Sequence, residues 1–235
     1  MKHRASVLAL AVVAIAAVPA VSSAQAAPEV SRAVASGGIS VPGWTGKIDA
    51  AEASRGSVLE NSKLAAEGSA LHVTTGPAVA YWNPKNVATG DYTVMATFNE
   101  AKYMGLNNHP HPYGIMIGGN DLGTDQQSYL YCAAYGNGNF IVRGFGPAAF
   151  QLNGRGAASP AVHKAAAVGE PVSQDIAVTV KGDNVSCSIN GTTVASYTKA
   201  EVVGAGKLKS TDGTYGIRFS HNTEATVTNF MVMKP

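Results

Sequence analysis

The chain has 235 residues, 46% of them hydrophobic and 14% charged, with a formal net charge of +2. A core of ordinary size can be built under a thinly charged surface, and no basic run follows Arg4, so the clustered basic footprint of a nucleic-acid partner is missing. Beyond the N-terminus no stretch stays apolar over the roughly 20 residues that a membrane helix needs.

In chain order, the first feature is a leader. Lys2, His3 and Arg4 precede an apolar run from Ala5 to Val18, and small residues lead to Ala24-Gln25-Ala26. This is the layout of a cleavable signal peptide over 1–26. It predicts a secreted or periplasmic protein whose residues 27–235 form one domain without a membrane span.

The remainder reads as strands and turns throughout. Leu71–Thr74, Ala78–Trp82, Asp91–Phe98 and Tyr113–Ile117 carry period-2 patterns or short apolar runs bounded by turn residues. Gln127–Tyr135 and Asn139–Phe145 flank Gly136-Asn137-Gly138, a hairpin signal. Ile176–Tyr197 contains three alternating strands, the last two joined at Asn190-Gly191, where both residues tolerate positive φ. Tyr215–Ser220 and Ala225–Met233 close the chain, and the alanine-rich 156–168 stretch reads as a long loop. About a dozen strands at this spacing predict an all-β fold, an antiparallel two-sheet sandwich.

Three segments carry a resemblance: Ile176 to Gly191, Gly213 to His221 and Val227 to Val232. Their meander and closing pattern resemble concanavalin A-like lectin/glucanase domains, in particular the laminin-G-like and 3-keto-disaccharide hydrolase branches. The resemblance implies a concanavalin A-like jelly roll and carbohydrate as the partner. It offers two functions, a non-catalytic glycan-binding module or a glycoside-acting hydrolase or lyase. Its motifs are turns and strands, which specify a fold and not a reaction. Glycosidases of that superfamily carry three acidic residues alternating on one strand, because two carboxylates must flank the scissile bond. That string is missing here, as are a Walker loop, a dinucleotide fingerprint and a G-x-S-x-G elbow.

Candidate sites follow from residue type and parity. On strands 127–135, 139–145 and 215–221, Leu130, Phe140, Val142, Ile217 and Phe219 share the inward parity. The opposite face then collects Tyr129, Tyr131, Arg143 and Arg218, flat rings and forked donors of the kind that bind sugars. The competing reading buries those tyrosines under the 146–171 loop as ordinary core. For metals, Asn120, Asp121, Thr124 and Asp125 offer oxygens to Ca²⁺, against a plain turn in which they bond their own backbone. His109-Pro110-His111 offers two imidazoles for Zn²⁺ or Cu²⁺, with a third ligand required from His72, His163 or His221. Here an exposed, proline-stiffened loop is the competing reading. Asp121, Asp125, His109 and His111 are thus the metal candidates, and no organic cofactor is implied.

Cys132 and Cys187 both fall on inward parity, and export favours a disulfide. The laminin-G-like meander, however, implies one sheet in the order 127–135, 139–145, 172–181, 184–190. Two intervening strands at about 4.8 Å per step hold the cysteine strands roughly 14 Å apart. That exceeds the about 7 Å limit between bridged Cα atoms, so two free buried thiols are expected.

Overall fold

The structure is a computed structural model that describes residues 29–146, 148–154 and 156–235. The expected leader over 1–26 lies outside the described residues. Ser31–Pro235 forms the compact unit considered below.

Among the described residues the chain forms fifteen strands, two α-helical turns and one 3-10 turn at Leu59–Asn61. The strands are β1 (Gly38–Ile39), β2 (Thr45–Ile48), β3 (Lys63–Glu67), β4 (Ala70–Thr74), β5 (Val79–Ala88), β6 (Tyr92–Glu100), β7 (Tyr113–Asn120) and β8 (Ser128–Ala134). They continue with β9 (Phe140–Phe145), β10 (Ala149–Gln151), β11 (Val172–Lys181), β12 (Asn184–Ile189), β13 (Thr192–Thr198), β14 (Gly213–Phe219) and β15 (Glu224–Met233). The α-helical turns are α1 (Ala50–Ala53) and α2 (Lys199–Val202). Two sheets stack face to face. One has the order β1-β3-β4-β15-β6-β11-β12-β13 and the other β10-β9-β8-β7-β14-β5-β2. All pairings are antiparallel except β1 with β3. The expected all-β two-sheet sandwich is the observed fold.

Each expected strand is present, because each has one apolar parity to bury. The Asn190-Gly191 turn forms as its residues suggest, with φ of 49° and 80°. Short β1, β2, β3 and β10 were not anticipated. β2 and β3 each have a single buried residue, Ile48 and Leu64, too little for a two-residue period to show.

The two sheets differ on their outer faces. In β6, β11 and β12, buried residues alternate with exposed or half-buried ones, so the eight-stranded sheet has one wet face. In β7 and β8 nearly every residue is buried on both parities. Ala80, Trp82, Met116, Tyr129, Tyr131, Ala133 and Ile141 make a second apolar cluster on the outside of the seven-stranded sheet. The main core lies between the sheets, where Phe98 packs on Tyr113 and Phe219 at ring separations of 5.5 and 5.9 Å.

The two thiols are bridged, contrary to the expectation of free cysteines. Cys132 on β8 and Cys187 on β12 form a disulfide with Cα atoms 5.9 Å apart. The expectation failed on strand order. The chain does not continue from β9 to β11 in one sheet; it crosses over through 146–171 to the other. The cysteines therefore face each other across the sandwich instead of lying three steps apart along one sheet. The bond closes a loop of 55 residues, and the loop-closure argument assigns such a cross-link about 4 kcal/mol. Unfolded without reductant, the protein is expected to show no titratable thiol, and two after reduction. Cys132→Ala with Cys187→Ala should lower the unfolding free energy by about 2–4 kcal/mol in urea titrations.

Glu100, at the end of β6, is 5% exposed and accepts from the Met104 N–H at 3.3 Å. Burial pushes its carboxyl from 4.5 up to about 7, against the lowering effect of that bond and of the Tyr113 hydroxyl beside it. A carboxyl whose pKa is higher folded than unfolded contributes fully below the unfolded value, and that contribution disappears as pH rises through the folded one. Between pH 4.5 and 8 the wild type should lose up to about 3 kcal/mol relative to Glu100→Gln, measured by denaturant unfolding at each pH.

Candidate functional site

The outer face of the seven-stranded sheet is organised by two cross-strand rows. One runs Lys47, Ala80, Arg218, Gly114, Ala133, Ile141. The next runs Thr45, Trp82, Gly216, Met116, Tyr131, Arg143, Gln151. In the first row Arg218 is flanked by alanine and glycine, whose small side chains leave room above the sheet. At Gly114 a Cβ atom would come within 1.9 Å of the Cys132 carbonyl oxygen, so the close approach of β7 to β8 requires glycine.

Arg218 fills that room lengthwise and is 5% exposed. Its Nη2 donates to the Asp49 carboxylate at 2.6 Å and its Nη1 to the Phe219 carbonyl at 2.7 Å. The guanidinium lies 5.7 Å from the ring centres of both Tyr131 and Phe145, and Arg143 lies 5.4 Å from that of Phe145. Burial disfavours the Arg218 charge, but the Asp49 carboxylate beside it holds the pKa above the ordinary arginine value. Asp49 precedes α1 in the N-cap position, yet its side chain makes no cap bond and serves the arginine instead. Burial also raises the Tyr129 and Tyr131 hydroxyls above their ordinary values, so both stay neutral donors.

A cleft of about 390 Å³ opens over this floor. Tyr131, Ile141, Arg143 and Arg218 line it from the sheet, and Asp49 and Glu52 from the α1 turn. His109, His111 and His221 line it from the loops. The β7–β14 pairing brings those histidines together. Tyr113 lies opposite Phe219, and the Ser220 N–H donates to the Pro112 carbonyl at 2.9 Å, so the residues before β7 meet those after β14. Their ring centres are 4.2 Å apart for His109 and His111, 4.0 Å for His111 and His221, and 6.3 Å for His109 and His221. His111 is buried, and burial, with the neighbouring His221 and His109, lowers its pKa to about 3.

The structure thus brings together Tyr131, Arg143, Arg218, His109 and His111 of the sequence candidates, with Tyr129 beneath them. Tyr129 and Tyr131 are buried. Leu122, Tyr135 and Phe145 pack against their cluster, and none of these comes from the 146–171 loop. Asp121 and Asp125 lie elsewhere, beyond the far end of β7, whose own length at about 3.3 Å per residue is roughly 23 Å. Asp121 pairs with Lys209 and Asp125 with Lys47 at 3.3 Å, while Thr124 bonds the Asp121 carbonyl, the geometry of a plain turn. Of the three histidines offered as a third ligand, His221 joins the pair. His72 sits on β4 of the other sheet beside Glu67 and Glu224, and the His163 ring bonds the Ser173 carbonyl. Sequence reasoning missed Asp49 and Glu52, since Asp-Ala-Ala-Glu before a helical turn carries no signal beyond a helix start.

No known family profile matches the sequence, and no curated protein matches it. Solved structures do match. The carbohydrate-binding module CBM66 from Bacillus subtilis superposes with a TM-score of 0.52 at 10% identity, covering 84% of this chain and 99% of that one. A Bacillus subtilis protein of unknown function with a galectin-like fold gives 0.49 at 14% identity, over 80% and 88% of the two chains. Sheep galectin-11 in complex with glycerol gives 0.41 at 10% identity, over 63% and 93%. The first of these carries the fold, a β-sandwich of the kind carbohydrate-binding modules use, and nothing finer.

The Asp49–Arg218 pair should dominate the stability of this face. Asp49→Ala leaves a guanidinium buried without its counter-ion and is expected to cost about 3–5 kcal/mol. Asp49→Leu combined with Arg218→Met, which removes both charges, should cost much less in the same urea titrations.

Proposed function

We propose that this chain is an exported, non-catalytic module that binds a carbohydrate in the cleft over the seven-stranded sheet. The carrying observation is the composition of that cleft, in which an aromatic and aliphatic floor (Tyr131, Ile141) meets fixed, forked donors (Arg143, Arg218) and carboxylates (Asp49, Glu52). Sugars present apolar ring faces and rows of hydroxyls, and such a site supplies a partner for each. Arg218 is committed to Asp49, whereas among the described residues Arg143 has no carboxylate partner and is half-buried. Arg143 is therefore the donor placed to meet a ligand's hydroxyl or carboxylate. The fold shared with a carbohydrate-binding module supports the same reading, and the inter-sheet disulfide suits the oxidising compartment that the leader implies.

A second reading has one observation in its favour. Asp49 and Glu52 both line the cleft, and a glycoside-acting hydrolase of the 3-keto-disaccharide type would need a pair of acid/base groups there. Both carboxylates already serve basic side chains, Arg218 and His221, which favours binding over turnover.

Retention on a panel of neutral and acidic polysaccharides tests the proposal. At least one should bind, and Arg143→Ala should weaken it about 10- to 100-fold, the loss of a charge-assisted hydrogen bond, with an unchanged melting curve. Failure to retain any polysaccharide would sink the binding reading. Release of reducing sugar from ordinary or 3-keto disaccharides, abolished in Glu52→Gln, would replace it with the hydrolase.

A further inference from the structure

Three histidines line the rim of the cleft. His109 is exposed, and His221 is half-buried. Yet one nitrogen from each of His109, His111 and His221 lies within 4.8 Å of the other two. Three imidazoles held this close are spaced to converge on one ion.

Their backbone is fixed on both sides. Pro110 and Pro112 lock φ between and after the first two histidines, and the Ser220–Pro112 bond ties that segment to the one bearing His221. The rings also have the outer contacts of metal ligands. The Ser220 hydroxyl lies 3.2 Å from His111 Nδ1. The Glu52 carboxylate lies 3.4 Å from His221 Nδ1 and is itself held by the Ser31 hydroxyl at 2.7 Å. A carboxylate on the far nitrogen of a coordinating histidine fixes its tautomer and raises its basicity. With Nδ1 engaged, Nε2 is the coordinating atom of His111 and His221.

We propose that His109, His111 and His221 form a binding site for Zn²⁺ at the rim of the cleft, with Glu52 orienting His221. Three imidazoles at about 2.0–2.1 Å from one ion place their nitrogens about 3.4 Å apart, and in the present cluster they already lie within 4.8 Å of one another. Three imidazoles also match zinc better than the oxygen-seeking Ca²⁺ or Mg²⁺. The site stands whether or not the cleft binds sugar.

The test is calorimetric titration of ZnCl₂ into tag-free, chelator-stripped protein, repeated with CoCl₂ and read by visible absorption. One Zn²⁺ should bind per chain, and Co²⁺ should give the intense visible bands of a four-coordinate nitrogen site. His109→Ala removes an exposed ligand, so the fold should survive. It should weaken Zn²⁺ at least tenfold and abolish the Co²⁺ bands. Glu52→Gln, an orienting change, should weaken Zn²⁺ about 10- to 100-fold. No stoichiometric Zn²⁺ uptake, or uptake and Co²⁺ bands unchanged in His109→Ala, would overturn the proposal. Saturating CaCl₂ in place of ZnCl₂ should leave the melting temperature unmoved, and a calcium-specific rise would likewise count against it.

Discussion

Arg218 carries a full positive charge into a place that water barely reaches, on the interior strand β14 of the seven-stranded sheet, and much of that face is built to accommodate it. Desolvating a guanidinium costs several kcal/mol unless a counter-ion and further acceptors are in place. Asp49, the Phe219 carbonyl and the faces of Tyr131 and Phe145 supply them. The α1 turn is anchored over the sheet by the same contact, since Asp49 begins it. Ala80 and Gly114, its neighbours in the row, are small and leave its path over the sheet open. The cleft is what remains above this arrangement, its charged and aromatic floor fixed by these contacts.

The asymmetry of the two sheets follows from the same commitment. An antiparallel sheet commonly keeps one dry and one wet face, and β6, β11 and β12 do so. β7 and β8 are dry on both, because the outward tyrosines and Met116 pack with Trp82, Ile141 and Phe145 under the arginines. The disulfide fastens this doubly buried layer to the wet sheet through β8, one residue from Tyr131.

Strand parity was legible in the sequence wherever a strand had one wet face or a single outlying polar residue. Leu130, Phe140, Val142, Ile217 and Phe219 do point inward, with Tyr129, Tyr131, Arg143 and Arg218 opposite. Parity says which face a residue takes but not which strands are neighbours. The pairing of β14 with β7 and β5 joins segments about 100 and about 130 residues apart, and no local pattern encodes it. That gap accounts for the cysteines, whose inward parity was right while their assumed strand order was wrong. It also explains why His221 stands in the sequence only as one of three possible partners for His109 and His111, and why Asp121 and Asp125 group with them there. Asp49 and Glu52 were invisible because their roles come entirely from what the sheet places beneath them.

The bond between Cys132 and Cys187 also sets how the chain would answer to tension. A pull on the two termini travels along the backbone until it meets a covalent shortcut, and here the shortcut bypasses the 55 residues between the sulfurs. At about 3.5 Å per residue, roughly 190 Å of contour stays off the load path. The bypassed length includes β9, with Arg143, and the β11–β12 hairpin.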